Sequence, residues 1–150
     1  MSLSIEQATI RDIPALVELL SALFSQEEEF TPEPKKQIKG LTKIIDNPEI
    51  GTIIIARKNK KIIGMVNILF TVSTALGERV ALLEDMVITA PFRKVGVGSQ
   101  LLTNAIAYAK VYGCKRITLL TDKTNETAQC FYQQQGFYLS SMIPMRISLD

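Results

Sequence analysis

The sequence predicts an α/β (α+β) fold. One mixed, mainly antiparallel central sheet is flanked by helices, in the order β-α-α-β-β-β-α-β-α-β-β. Three observations predict it. Runs rich in β-branched residues alternate with segments whose apolar residues recur every three to four positions. Three strand-like runs between residues 52 and 88 follow one another with only short polar connections, as antiparallel hairpins do. The stretch from Leu82 to Gly98 passes from a strand, through a basic turn with two glycines, straight into a helix. A helical crossover to the next strand makes that strand pair parallel.

Each element has its own signal. Ser4 to Thr9 reads as a short strand. Asp12 is a helix N-cap residue with Pro14 tolerated in the first turn, and Ile13, Leu16, Val17, Leu20, Leu23 and Phe24 form one apolar stripe. A second helix spans Lys35 to Asn47, with Ile38, Leu41, Ile44 and Ile45 inward, and Asn47-Pro48 ends it. Thr52 to Arg57 and Ile62 to Val72 are strands around the polar turn Lys58-Asn59-Lys60-Lys61. Gly64, inside the second of them, marks a bulge or a close approach. The central strand begins near Arg79. A helix runs from Gly98 to Tyr112, a strand from Arg116 to Leu120, and a helix from Glu126 to Gln135 capped by Asn125. Phe137 to Ser141 and Ile143 to Ser148 read as two last short strands.

Composition narrows the function. The 150 residues suit one domain, 1–150, with a real core. Hydrophobic residues make up 47% and charged residues 21%, a globular balance. The net charge is only +2 and the lysines are scattered, so no nucleic-acid stripe or polybasic membrane patch is expected. No apolar run approaches the roughly 20 residues of a membrane helix, and no signal peptide is visible. Cys114 and Cys130 are too few for a zinc site or a disulfide framework. A soluble, reducing, cytoplasmic setting and no metal are therefore expected. There is no histidine, so any acid–base work falls to carboxylates, Tyr, Lys, Cys or water.

The turn from Arg93 to Ser99, Arg-Lys-Val-Gly-Val-Gly-Ser, has the makings of an anion site. The first helical N–H groups lack partners inside the helix, and the macrodipole adds partial positive charge there. Gly96 and Gly98 remove Cβ atoms that would hold a phosphate off the backbone. Neither a P-loop string nor a complete Gly-x-Gly-x-x-Gly is present, since position 101 is Leu. What stands here is Arg93-x-x-Gly96-x-Gly98, after a strand carrying Glu84-Asp85. A second string follows at Asn125-x-x-Ala128-x-x-Phe131-Tyr132-x-x-x-Gly136-Phe137. Together these strings resemble the GNAT superfamily of N-acetyltransferases, and with the strand order the resemblance covers nearly the whole chain. It is weakest over residues 20–50.

The resemblance implies acetyl-coenzyme A as cosubstrate and direct attack by an amine on the thioester. It implies that Arg93, Lys94, Val95, Gly96, Val97, Gly98 and Ser99 hold the pyrophosphate, and that Met86, Val87 and Ile88 offer backbone groups to pantetheine. Asn125 is either a pantetheine contact or a plain N-cap. Tyr132, the position that points at the coenzyme sulfur in the family, is the candidate acid for the leaving thiolate. For the base, Glu84 comes first and Asp85 second. On an alternating strand the two face opposite sides, and a carboxylate on an apolar strand needs a partner or a cleft. A salt bridge from Glu84 to Arg79 or Arg93 is the competing role.

Glu27, Glu28, Glu29 and Glu33 are either a solvated helix end or a lure for a cationic acceptor. A small cationic amine is the preferred acceptor, with a protein N-terminus or lysine as the alternative. Dimers are common in the family, so a homodimer is an expectation from the resemblance alone. A non-catalytic acyl-coenzyme A binding or regulatory module is the competing function class, and a nucleotide-binding module a more distant one.

Overall fold

β-Branched residues crowd the middle of the chain, and there the backbone forms its longest ladders. The computed structural model describes residues 3–26 and 31–149. Strands β1 (Leu3–Gln7), β2 (Gly51–Lys58), β3 (Lys61–Ser73), β4 (Glu78–Ile88) and β5 (Ile117–Leu119) form one sheet in sequence order. The first three pairings are antiparallel and β4–β5 is parallel, the mixed, mainly antiparallel sheet expected. Helices α1 (Ile13–Phe24), α2 (Pro34–Ile45), α3 (Val97–Val111) and α4 (Glu126–Gln134) complete the order. The chain divides into two compact units, Met1–Leu120 and Thr121–Asp150.

In the first unit the apolar stripe of α1 supplies Ile13, Leu16, Leu19 and Leu20 to a core shared with Leu41 of α2, Ile53 and Ile55 of β2, Ile62 and Met65 of β3, and Val87 of β4. Each fully buried side chain of this size contributes about 1.5–3 kcal/mol. The other face of the sheet packs against α3 through Leu101, Leu102 and Ala105, all fully buried. Gly64 is the close approach the sequence flagged. A Cβ there would lie 2.6 Å from Ile88 Cδ1 and 3.3 Å from the Val87 carbonyl.

Two local readings differ from expectation. Asp12 precedes α1 but makes no side-chain cap to it. Its carboxylate instead accepts from the Thr9 amide at 2.8 Å and from Arg57 at 3.0 Å. β4 does not alternate strictly. Asn67 pairs with Glu84 and Met65 with Val87, two steps on β3 against three on β4. The extra residue is a bulge at Asp85–Met86, and Asp85 takes a left-handed φ of 55°.

The second unit contains α4, whose N-cap Asn125 accepts from the Ala128 amide at 3.1 Å. The two last strands expected over Phe137–Ser141 and Ile143–Ser148 do not form. Apolar alternation marks a tendency only, because a strand exists through its ladder, and Pro144 removes a donor midway. Tyr138, Leu139, Met142, Ile143, Met145, Ile147 and Leu149 are instead exposed.

Candidate active site

β4 is set apart from the other strands by what happens at its two ends. β5 pairs with it only over Ala81–Leu83. From Glu84 to Ile88, β4 keeps its β3 neighbour but has no strand on the β5 side among the described residues. Backbone groups of Met86, Val87 and Ile88 thus stand on an opened edge. After Ile88 the chain makes a 3-10 turn at Ala90–Phe92, where Pro91 excludes further pairing. Arg93 Nε donates to the Ile88 carbonyl at 2.8 Å, which ties the turn back onto the end of β4.

Lys94 and Gly96 both take left-handed backbone, with φ of 62° and 89°. Left-handed residues alternating with ordinary ones turn successive N–H groups toward one side, the concavity that binds anions. Gly96 is also the N-cap residue of α3, and a Cβ built there meets nothing within 4 Å. The space over the helix N-terminus is therefore open. Arg93, Lys94 and Val95 are exposed and Val97 is buried. This turn fits a phosphate by shape, charge and donors.

A cavity of about 730 Å³ lies beside it, bringing Val87, Ile88 and Arg93 together with Arg11, Lys60 and Lys61. Thr89 also lines it, and its buried Oγ1 has no hydrogen-bond partner among the described residues. Arg57 on the same wall is held by Asp12 at 3.0 Å and Glu6 at 2.9 Å, hydrogen bonds that raise its pKa further. For Asp12, burial pulls the pKa up, but the Thr9 amide and Arg57 outweigh it and hold the carboxyl below its ordinary value.

A second cavity, of about 180 Å³, opens between α1, α2 and the sheet. Asp85 and Asn67 line it; Glu84 lines neither cavity and is exposed. Residues paired across an antiparallel ladder project from the same face, so Glu84 shares the Asn67 face. Asp85 reaches that face too, since Asn67 Nδ2 donates to its Oδ2 at 2.7 Å. The bulge thus gathers the two carboxylates that strict alternation would have separated. Asn67 is 3% exposed, and its Oδ1 has no partner among the described residues. Leaving such an acceptor dry costs about 1–3 kcal/mol. Sequence reasoning missed Asn67, although a lone amide inside the apolar run Ile62 to Val72 was a usable signal.

Glu33 forms an exposed ion pair with Lys36 at 3.1 Å. Glu27, Glu28 and Glu29 lie outside the described residues. In the second unit, Tyr132 is packed edge-on against Phe131 and Phe137, with ring centroids 5.3 and 5.8 Å away. Burial pushes its phenol up to about 12, so it remains a donor throughout the physiological range.

The acetyltransferase (GNAT) family model matches residues 13–137. The chain belongs to that family. Members of it transfer an acyl group from acetyl-coenzyme A, and this GNAT chain is an acetyl-coenzyme A-dependent acyltransferase. It is 31% identical over 139 residues to YhfO of Bacillus subtilis (strain 168), an uncharacterised N-acetyltransferase, covering 90% of this chain and 89% of that one. A solved structure described as a transcriptional regulator from Bacillus halodurans C-125 is 28% identical, with a TM-score of 0.83 over 99% of this chain and 100% of that one. The aminoglycoside N-acetyltransferase AAC(6')-Iy, solved with coenzyme A, shares the fold at 18% identity, with a TM-score of 0.83 over 98% and 95% of the two chains. Among the described residues no group of His, Cys, Asp and Glu could hold a metal, and no helix is long and apolar enough to cross a membrane.

Proposed function

We propose that this enzyme acetylates a small cationic primary amine by direct attack on acetyl-coenzyme A. The observation that carries the reading is the bulge of β4, which sets Glu84 and Asp85 on one face immediately upstream of the phosphate turn. The turn from Arg93 to Ser99 binds the pyrophosphate, and the opened edge at Met86, Val87 and Ile88 gives hydrogen bonds to pantetheine. Asn125 caps α4 and adds a contact to the pantetheine arm. One domain, 1–150, does the work, supported by a family match that runs across both units.

The coenzyme supplies the acyl group as a thioester. An alkylammonium with a pKa near 10.4 is neutral in only about one molecule in a few thousand at pH 7. Glu84, acting through water, accepts the proton that frees the lone pair. The amine nitrogen then bonds to the carbonyl carbon as the carbon–sulfur bond breaks, and the electron pair leaves on sulfur. The nitrogen loses a second proton as the amide forms; Tyr132 donates a hydrogen bond to the thiolate, which takes up one proton from solvent, so one proton is released overall. Orientation and this proton handling are what the protein provides.

The reading includes a cytoplasmic site of action, supported by a sequence with only two cysteines, both free thiols. It also includes a homodimer, supported by the seven large apolar side chains exposed between Tyr138 and Leu149. The test of function is free-thiol release across a panel of cationic, neutral and anionic primary-amine compounds at low and high salt. Cationic amines are expected to turn over best, with the advantage shrinking as salt screens the field. Thiol release that ignores acceptor charge would refute the cationic assignment.

A further inference from the structure

We infer that Asp85 and Asn67 seat the acceptor's ammonium group, and that the walls above them select a short, slim aliphatic amine. This rests on the amine acetyltransferase reading and deepens it. The cavity between α1 and α2 has a polar floor and apolar walls. Leu20, Phe24, Leu41 and Ile44 form the walls, and Asn67 with Asp85 the floor. Gly40 of α2 also faces this space. Lys36 and Gln37 also line it, the Lys36 charge being answered by Glu33 at 3.1 Å.

The floor is chemically specified. A carboxylate only accepts hydrogen bonds, so the amide group within 2.7 Å of Asp85 Oδ2 must be the Asn67 Nδ2. That fixes Oδ1 as the group left over, buried and without a partner among the described residues. A donor from outside is needed to satisfy it. An ammonium has three N–H donors and no acceptor, which suits one carboxylate and one amide oxygen side by side. The walls then take the carbon chain. A volume of about 180 Å³ is that of about six water molecules in the liquid, room for a chain of about four to six carbons.

The test uses pentylamine, with methylamine and a lysyl peptide as comparison acceptors. Two variants probe the site. Gly40→Leu fills the cavity, since a Cβ at Gly40 meets nothing within 4 Å, and it raises helix propensity, so the melting temperature should hold or rise. Asp85→Asn removes the charge at constant shape. In both, pentylamine KM and its calorimetric Kd should rise at least tenfold while coenzyme A affinity stays at wild type. Methylamine KM should change in Asp85→Asn and little in Gly40→Leu. If pentylamine is acetylated with a KM within twofold of wild type in both variants, the seat is elsewhere and the amine reading stands. If pentylamine binds the wild type, loses binding in Gly40→Leu, and is never acetylated, the seat stands and the amine reading falls. Failure of pentylamine to bind the wild type overturns the seat. Turnover of the lysyl peptide alone would overturn the small-amine reading as well.

Discussion

Tyr132→Phe is the substitution whose consequence follows most directly from the structure. The phenol is pushed up to about 12 by burial and sits edge-on to Phe131 and Phe137. A thiol has a pKa of about 8.5, so full proton transfer from Tyr132 to a departing thiolate runs uphill by about 3.5 pKa units, about 5 kcal/mol. In the proposed mechanism Tyr132 is therefore a hydrogen-bond donor to developing charge rather than the final proton source. A hydrogen bond to a charged group contributes about 1.5–3 kcal/mol, so kcat should fall about 10- to 150-fold. The ring and its packing survive, so the melting temperature and coenzyme A affinity should change little. KM should also change little, because the lost interaction is made in the transition state. The assay is steady-state kinetics with an identified amine and the chemical step shown to limit turnover. A kcat within twofold of wild type would refute the donor role. A wild-type alkaline limb near pH 9 that vanishes in the variant would refute the argument that Tyr132 stays protonated.

Three further outcomes are expected. Gly96→Val puts a β-branched residue at a φ of 89°, straining the turn by about 1–3 kcal/mol, and should weaken coenzyme A binding at least tenfold; unchanged affinity in a folded variant would move the phosphate site elsewhere. Glu84→Gln should lower kcat/KM about 10²–10⁴-fold, and a kcat/KM within about twofold of wild type would hand the base role to another group. Asp12 has a folded pKa below 3.8, so its contribution is present above that value and lost as pH falls through the folded pKa. Asp12→Asn should cost about 1–2 kcal/mol at pH 7 by denaturant unfolding and flatten the acid-side loss, and equal stability would deny the contacts of Asp12 with Thr9 and Arg57 their weight.

The parts legible in the sequence are those governed by local rules. The β4 strand, its glycine turn and α3 follow from apolar pattern, Pro91 and the Gly96–Gly98 spacing, and each falls within a residue or two of its expected place. What escaped depends on partners distant in sequence. The bulge at Asp85–Met86 exists because β3 offers one residue fewer than β4, and no periodicity in β4 alone records that. Asn67 matters only because the bulge brings Asp85 to it across eighteen positions. The segment after Gly136 has strand-like residues and an intervening proline, and apolar alternation could not tell a paired strand from an exposed one.

A competition between acceptors measures acetyl transfer to a small cationic amine most directly. Wild-type enzyme would be given acetyl-coenzyme A with equimolar pentylamine and a lysyl peptide bearing a free N-terminus, and both products followed by mass spectrometry against thiol release. Acetylpentylamine is expected as the main product, with thiol released in equal amount. Acetylation confined to the peptide, or thiol release with neither product, would contradict it.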